Sequence, residues 1–211
     1  MWPASGETQE LLNQARAGQP AAVEQLLDRH RAALRRMVDL RMDGRLRRRV
    51  DASDIVQEAL VEANRRLSAY LADPAMPFHL WLHQIARDRL IDAHRRHRVA
   101  GRRSLDREQP LAADPQASVS AADLGALLAD PELTPAAAAT WHELERRFAE
   151  AIEQLDETDR EIVLLRHFEH LGNSEAAALL NLSPPAAGMR YLRAMRRLRA
   201  LLGGEDGSGE D

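Results

Sequence analysis

The sequence predicts an all-α protein with two helical domains joined by a flexible linker. The helix-favouring residues Ala, Leu, Arg and Glu dominate the 211-residue chain, whereas aromatic residues make up only 4% of it. Apolar residues recur at three- and four-residue spacing on both sides of residues 101–134. That central stretch carries three prolines and little periodicity, which is typical of a linker.

Composition also excludes several classes of protein. The chain has no cysteine, so neither disulfides nor thiolate metal sites are expected. No stretch approaches the roughly 18–20 apolar residues that cross a membrane, and the first residues do not read as a signal peptide. We therefore expect a cytoplasmic protein without membrane insertion.

Catalytic and metal-binding motifs are not expected either. The pairs His79/His83 and His94/His97 have helical ligand spacing, but they lack cysteine or a clear carboxylate partner. The sequence contains no phosphate-binding glycine loop, nucleophile elbow or HExxH motif. The prediction is a protein that is not an enzyme and that needs no cofactor and no metal.

Residues 1–100 are predicted to form a four-helix domain. Two helices over residues 7–41 are broken near Gly18 and Pro20, and Asp51 is placed to cap a third. The apolar stripe of the third helix is predicted to comprise Ile55, Val56, Ala59, Leu60, Ala63 and Leu67. This stripe leaves the polar row Asp54, Gln57, Glu58, Glu62 and Arg65 facing away from the core.

The fourth helix begins at Phe78, becomes strongly basic beyond Ile91 and is predicted to end at Gly101. Arg and His beside aromatic residues suit single-stranded or melted DNA. We interpret Trp81 as a core residue rather than a stacking platform. Asp88 could accept a hydrogen bond from a cytosine amino group, but a local ion pair with Arg87, Arg89 or Arg95 is the favoured interpretation.

Charge is segregated along the chain although the net charge is only −4. Residues 83–107 hold eight arginines against three aspartates, and residues 184–199 hold five arginines and no acid. Between them, residues 108–145 hold seven acids and no base, and the predicted disordered tail 203–211 adds four acids. This alternation indicates modules with different partners.

Residues 135–202 are predicted to form a domain that ends in a helix-turn-helix. A short helix, Ser174–Leu180, is followed by a turn at Asn181 and a long basic helix, Pro184–Leu202, for which Ser183 is a good N-cap. Arginines at i, i+3 and i+7 on the long helix would line one groove or phosphate row: Arg190, Arg193 and Arg197. Gly188 in mid-helix would be rationalised by close approach of a DNA backbone.

Together these segments resemble a bacterial sigma factor of the sigma-70 class, in the small extracytoplasmic-function group. "DASDIVQEALVEANRRL" resembles region 2.2, and "FHLWLHQIARDRLIDAHRRHR" resembles regions 2.3–2.4. The segment "LDETDREIVLLRHFEHLGNSEAAALLNLSPPAAGMRYLRAMRRLR" resembles region 4. The resemblance implies a promoter-specificity subunit that binds core RNA polymerase and directs transcription initiation.

The resemblance also implies roles for particular residues and partners. It implies contacts with the β′ clamp coiled coil and the β flap of polymerase, with an anti-sigma factor as a further partner. Polymerase docking falls on Asp54, Gln57 and Glu58. Contact with the −10 element falls on Asp88, Arg89, Asp92, Arg95, Arg96 and Arg98. Contact with the −35 element falls on Ser183, Ala186, Arg190, Arg193 and Arg197. The acidic linker 101–134 matches the segment that threads the polymerase channels.

Two alternatives stay open on the residues alone. A stand-alone helix-turn-helix regulator would bind duplex DNA tightly without polymerase. A helical adaptor would use its charged faces for proteins and show no salt-sensitive association with promoters.

Overall fold

A computed structural model describes residues 2–105, 147–148 and 150–203, with the backbone alone at 44, 45, 98–105 and 203. Every regular element in these ranges is helical, and the chain forms two compact units, Met1–Ala117 and Ser118–Asp211. The predicted all-α class is therefore confirmed. Most of the predicted linker and all but the first residue of the predicted tail lie outside the described residues, and the proposed domain limits stay predictions.

The first unit contains the four long helices that the sequence predicts and one short helix that it does not. These helices are α1 (Ser5–Arg16), α2 (Pro20–Arg41), α3 (Gly44–Arg47), α4 (Ala52–Ala72) and α5 (Phe78–Leu105). Gly18 adopts a positive φ of 78° between α1 and α2, where the sequence predicts a break. Asp43 caps the short helix α3, because its carboxylate accepts from the Leu46 amide at 2.6 Å.

The predicted end of α5 at Gly101 is wrong, because the helix continues to Leu105. A glycine inside a helix costs only about 1 kcal/mol relative to alanine. The residues around it, Arg and Ala, are good helix formers, so one glycine does not terminate the helix.

The core of the first unit forms where α2, α4 and α5 pack together. All six residues of the predicted α4 stripe are buried. Trp81 stacks on Tyr70 with ring centroids 4.6 Å apart, and Phe78 lies 5.5 Å from both rings. The Tyr70 hydroxyl donates to the Met76 carbonyl at 2.9 Å. Trp81 is therefore partly buried and packs against the core, which supports the core interpretation.

The second unit has a helical segment ending at residue 153, followed by α6 (Glu157–Val163), α7 (Asn173–Leu179) and α8 (Pro184–Gly203). A π-helical turn, Leu164–Phe168, continues α6 directly. The Asp156 side chain caps α6 by accepting from the Asp159 amide at 2.9 Å. The predicted helices Ser174–Leu180 and Pro184–Leu202 are confirmed within one residue at each end, whereas the π-helical turn was not predicted.

A buried arginine joins α6 to the helical segment before it. Arg160 donates to the carbonyls of Ile152, Glu153 and Leu155 at 3.2, 2.8 and 3.3 Å. These carbonyls lie at the C-terminal end of that segment, where backbone acceptors lack helical partners and a positive charge is favoured. The guanidinium therefore stabilises the corner on which the helix-turn-helix is built.

Candidate functional site

The docking row Asp54, Gln57 and Glu58 lies on the solvent side of α4. Asp51 caps this helix by accepting from the Ser53 amide at 2.7 Å. The same hydrogen bond lowers the pKa of the Asp51 carboxyl. The buried stripe fixes the rotation of the helix, so all three docking residues are exposed together. The geometry predicted from sequence is found here, and the role of these residues remains a proposal.

Arginines from two neighbouring helices already contact this row. Arg31 of α2 donates to Gln57 Oε1 at 3.0 Å. Arg96 of α5 donates to Glu58 Oε2 at 3.0 Å and to Glu58 Oε1 at 3.3 Å. One residue assigned to polymerase docking is thus paired with one assigned to the −10 element.

The pair between Arg96 and Glu58 is solvated. Their side chains are 58% and 44% exposed, and exposed pairs contribute up to about 1 kcal/mol. A cation from a partner can therefore replace Arg96, or an anion can replace Glu58, at a small cost in free energy.

Among the residues assigned to the −10 element, the acids behave differently. Asp92 lies 3.7 Å from Arg89 in an i,i+3 pair. Asp88 is exposed and forms no ion pair with Arg87, Arg89 or Arg95, so the favoured interpretation of a local pair is wrong. Among the described residues, the Asp88 carboxylate is therefore open to solvent. Arg95 is exposed as well, and the side chain of Arg98 lies outside the described residues.

The buried histidines His30 and His83 lie against the ring of Trp2. The Trp2 ring lies 6.1 Å from His30 and 6.3 Å from His83, and Thr8 Oγ1 lies 3.3 Å from His30 Nε2. Burial lowers the pKa of His30 to about 4, and charges at His79 and Arg29 act in the same direction. In the part of the chain that the structure describes, no three His, Asp or Glu side chains are grouped as metal ligands.

The second unit contains the predicted helix-turn-helix. Asn181 adopts a positive φ of 54° in the turn, and the Leu182 amide donates to the Ala177 carbonyl at 2.9 Å. Ser183 Oγ accepts from the Ala186 amide at 3.3 Å, which confirms the predicted N-cap. The local chemistry of the turn therefore sets the angle at which α8 leaves α7.

The arginines of α8 are placed unequally. Arg193 and Arg197 are exposed. In contrast, Arg190 Nη1 donates to Asp159 Oδ1 of α6 at 3.1 Å, and its side chain is only 28% exposed. The three share one side of the helix, as predicted, but Arg190 lies at its inner edge and is held by the scaffold.

Gly188 faces α7 rather than the open side of α8. A β-carbon at this position would lie 3.6 Å from Asn173 Oδ1, an ordinary contact distance. The side-chain amide of Asn173 donates to the Pro184 carbonyl at 2.7 Å and links the two helices. The packing of the protein therefore tolerates alanine here, and because the glycine faces α7, its position gives no support to the predicted close approach of a DNA backbone.

Helix α8 exposes two apolar side chains that the sequence did not predict to be exposed. Met189 and Leu192 are 58% and 49% exposed and lie three residues apart. Their exposure could have been predicted from the helical period, which places them opposite the small buried residues Ala187 and Ala194.

The described residues form a two-unit helical protein with an exposed row of two acids and a glutamine on α4 and with exposed arginines on α5 and α8. The family model described as Sigma-70 region 2 matches residues 22–99, and the family model described as Sigma-70, region 4 matches residues 145–198. The chain is 31% identical to the RNA polymerase sigma factor CnrH of Cupriavidus metallidurans, over 91% of this chain and 92% of CnrH. It is 31% identical to the sigma factor CarQ of Myxococcus xanthus, over 72% and 75% of the two chains.

A third relative, the probable RNA polymerase sigma factor RfaY of Xanthomonas campestris, is 38% identical over 70% of this chain but only 33% of its own length. The solved structure of CnrH in complex with the cytosolic domain of CnrY superposes with a TM-score of 0.57 and 25% identity. That comparison covers 94% of this chain and 98% of CnrH.

The chain therefore belongs to the sigma-70 family of RNA polymerase sigma factors, in the extracytoplasmic-function group. It binds core RNA polymerase and directs promoter recognition and transcription initiation. This membership decides against the stand-alone regulator and the adaptor. Within the described residues, no helix is long and apolar enough to span a membrane.

Proposed function

We propose that the three activities of this sigma factor are divided among three helices. The row Asp54, Gln57 and Glu58 on α4 docks on the β′ clamp coiled coil. The basic half of α5 contacts the −10 element, and α8 contacts the −35 element in the major groove. The chain has no catalytic activity of its own, and it works in the cytoplasm, where it meets the polymerase.

The docking assignment is carried by one observation. A single buried stripe on α4 turns Asp54, Gln57 and Glu58 outward together. Carboxylates on an exposed helix complement a basic coiled coil, and complementary charges of this kind steer association. Because the Glu58–Arg96 pair is solvated, a basic partner can take its place.

The assignment of α5 to the −10 element is supported by its charge and by its open acid. Arg95 and Arg96 supply cations for the phosphates of a separated strand. Asp88 is an exposed carboxylate without an ion pair to its neighbouring arginines, and a carboxylate accepts from the amino group of cytosine. We propose that Asp88 contributes to base preference in the −10 element.

The assignment of α8 follows from the helix-turn-helix geometry and from exposed arginines. Arg193 and Arg197 are solvent-exposed on one side of α8, and no acid occurs between residues 184 and 203. Ser183 and Ala186 lie at the start of the same helix, where recognition helices contact base edges.

An anti-sigma factor is a further proposed partner. The related CnrH has been solved with the cytosolic domain of CnrY. A regulator that covers the docking row of α4 and the basic side of α8 would block polymerase and promoter together.

The docking assignment is tested by reversing the polarity of the row. The double variant Gln57→Arg/Glu58→Arg places two cations against a basic coiled coil, which costs several kcal/mol. We expect the affinity for core polymerase, measured by fluorescence anisotropy, to fall more than about 100-fold.

A matched control uses another exposed Glu–Gln pair. The variant Glu24→Arg/Gln25→Arg introduces the same charges on α2 and is expected to bind core polymerase nearly as the unaltered chain does. Equal affinities for the two double variants, or unchanged binding by the first, would remove the docking role from α4.

A further inference from the structure

The rotation of α8 about its own axis is fixed from three sides. Ala187, Ala194 and Leu198 form its buried stripe. On one flank Arg190 is held by Asp159 at 3.1 Å. On the other flank the guanidinium carbon of Arg166 lies 5.3 Å from the Tyr191 ring centroid. The side opposite the buried stripe is therefore set by packing within the unit.

That opposite side combines apolar and basic groups. Met189 and Leu192 are 58% and 49% exposed and lie next to each other, so they form one contiguous apolar surface, which is more informative than a single exposed side chain. Arg193 and Arg196 are exposed beside them. The result is a small apolar surface inside a positively charged one.

This combination favours DNA over an apolar protein as its occupant. The positive field selects a polyanion, and the major groove adds one apolar group to an otherwise polar edge, the C5-methyl of thymine. Met189 and Leu192 also lie in the first half of α8, the part of a recognition helix that meets base edges.

The spacing of the two side chains suits neighbouring base pairs. Three residues of helix rise by about 4.5 Å, compared with about 3.4 Å between successive base pairs. Two apolar side chains three residues apart can therefore reach methyl groups on adjacent base pairs, or on base pairs one step further apart.

We propose that Met189 and Leu192 are specificity-determining residues that contact thymine methyl groups in the −35 element. The inference rests on the proposed role of α8 and names the bases that it selects. Arg193 and Arg197 hold the phosphates, while Met189 and Leu192 distinguish thymine from the other bases.

Replacing thymine with uracil tests this directly, because it removes only the methyl group. The probe is duplex promoter DNA whose −35 element has been selected from random sequence with the unaltered holoenzyme. We expect uracil at one or two −35 positions to weaken holoenzyme binding about threefold to fivefold per position, as loss of one buried methyl group predicts.

The variants Met189→Ala and Leu192→Ala should each become indifferent to uracil at one of these positions while keeping the sensitivity at the other. Both side chains are exposed, so the melting temperature of either variant should match that of the unaltered chain. Arg193→Ala is the control and should weaken binding to thymine and uracil templates alike.

Several outcomes overturn the inference. If uracil has no effect on the unaltered holoenzyme although a scrambled −35 element abolishes binding, the thymine contact is refuted and the role of α8 is left intact. If the alanine variants lose binding equally on both templates, the apolar pair makes a protein contact instead. If scrambling the −35 element and Arg193→Ala are both without effect, the proposed role of α8 fails as well.

Discussion

In each unit an arginine of a proposed DNA-binding helix forms an ion pair with a carboxylate, but the two pairs differ in burial. In the first unit Arg96 of α5 pairs with Glu58, which is 44% exposed. In the second unit Arg190 of α8 pairs with Asp159, which is only 13% exposed. The first pair joins two surfaces to which we assign external partners, whereas the second joins the proposed recognition helix to its own scaffold.

The sequence alone does not distinguish Arg96 from Arg190, whereas the burial of their ion pairs does. A solvated pair contributes little and leaves both side chains available to partners. A shielded pair holds its arginine in place, because opening it leaves a partly desolvated carboxylate without its partner. Arg96 is therefore available for exchange, whereas Arg190 chiefly sets how α8 is rotated.

The units also differ in their expected response to acid. Burial lowers the pKa of His30 to about 4, below the value of 6.5 for an exposed histidine. In the second unit, His167 and His170 are both exposed. We therefore expect acid to destabilise the first unit through protonation of His30.

The largest effect on stability is expected from that histidine. The unfolded chain binds a proton near pH 6.5 and the folded chain only near pH 4, so stability is lost as the pH falls through this window. The loss should approach about 3 kcal/mol. Urea unfolding of a Trp141→Phe variant, followed by the fluorescence of Trp2 and Trp81, measures it in the first unit.

The variant His30→Gln should flatten the pH dependence between pH 6.5 and pH 4. His97→Gln, at a more exposed histidine of α5, should leave it unchanged. A slope that survives His30→Gln would mean that another group carries the acid sensitivity of this unit.

A smaller effect sharpens the comparison of the two ion pairs. Double-mutant cycles with alanine should give a coupling of about 1–2 kcal/mol for Asp159–Arg190. The same cycle should give about 0.5 kcal/mol or less for Glu58–Arg96. Native-state hydrogen exchange reports each value from peptides of the unit concerned. Equal couplings in the two units would contradict the distinction between a shielded and a solvated pair.

The features that the sequence predicted correctly depend on local chemistry. Asp51 and Ser183 cap their helices because a short polar side chain reaches the first free amides. Asn181 adopts the left-handed conformation because it tolerates a positive φ better than most residues. The apolar stripe of α4 could likewise be read from periodicity alone.

The features that it missed depend on partners distant in sequence. Periodicity places Arg190 beside Arg193, but only tertiary packing brings it within 3.1 Å of Asp159. The outward position of Met189 and Leu192 follows from small alanines on the buried side of α8, which a search for basic residues overlooks. Asp88 was expected to pair locally, but its side chain is exposed and turned to solvent.

Photo-crosslinking in the reconstituted holoenzyme on one promoter tests the division of labour among α4, α5 and α8 most directly. A photoreactive amino acid is placed at Gln57, Arg95 or Arg193, one position per variant. We expect Gln57 to crosslink to β′, Arg95 to the non-template strand at the −10 element, and Arg193 to duplex DNA at the −35 element. Crosslinking of Gln57 to DNA, or of both arginine positions to the same promoter element, would contradict the account.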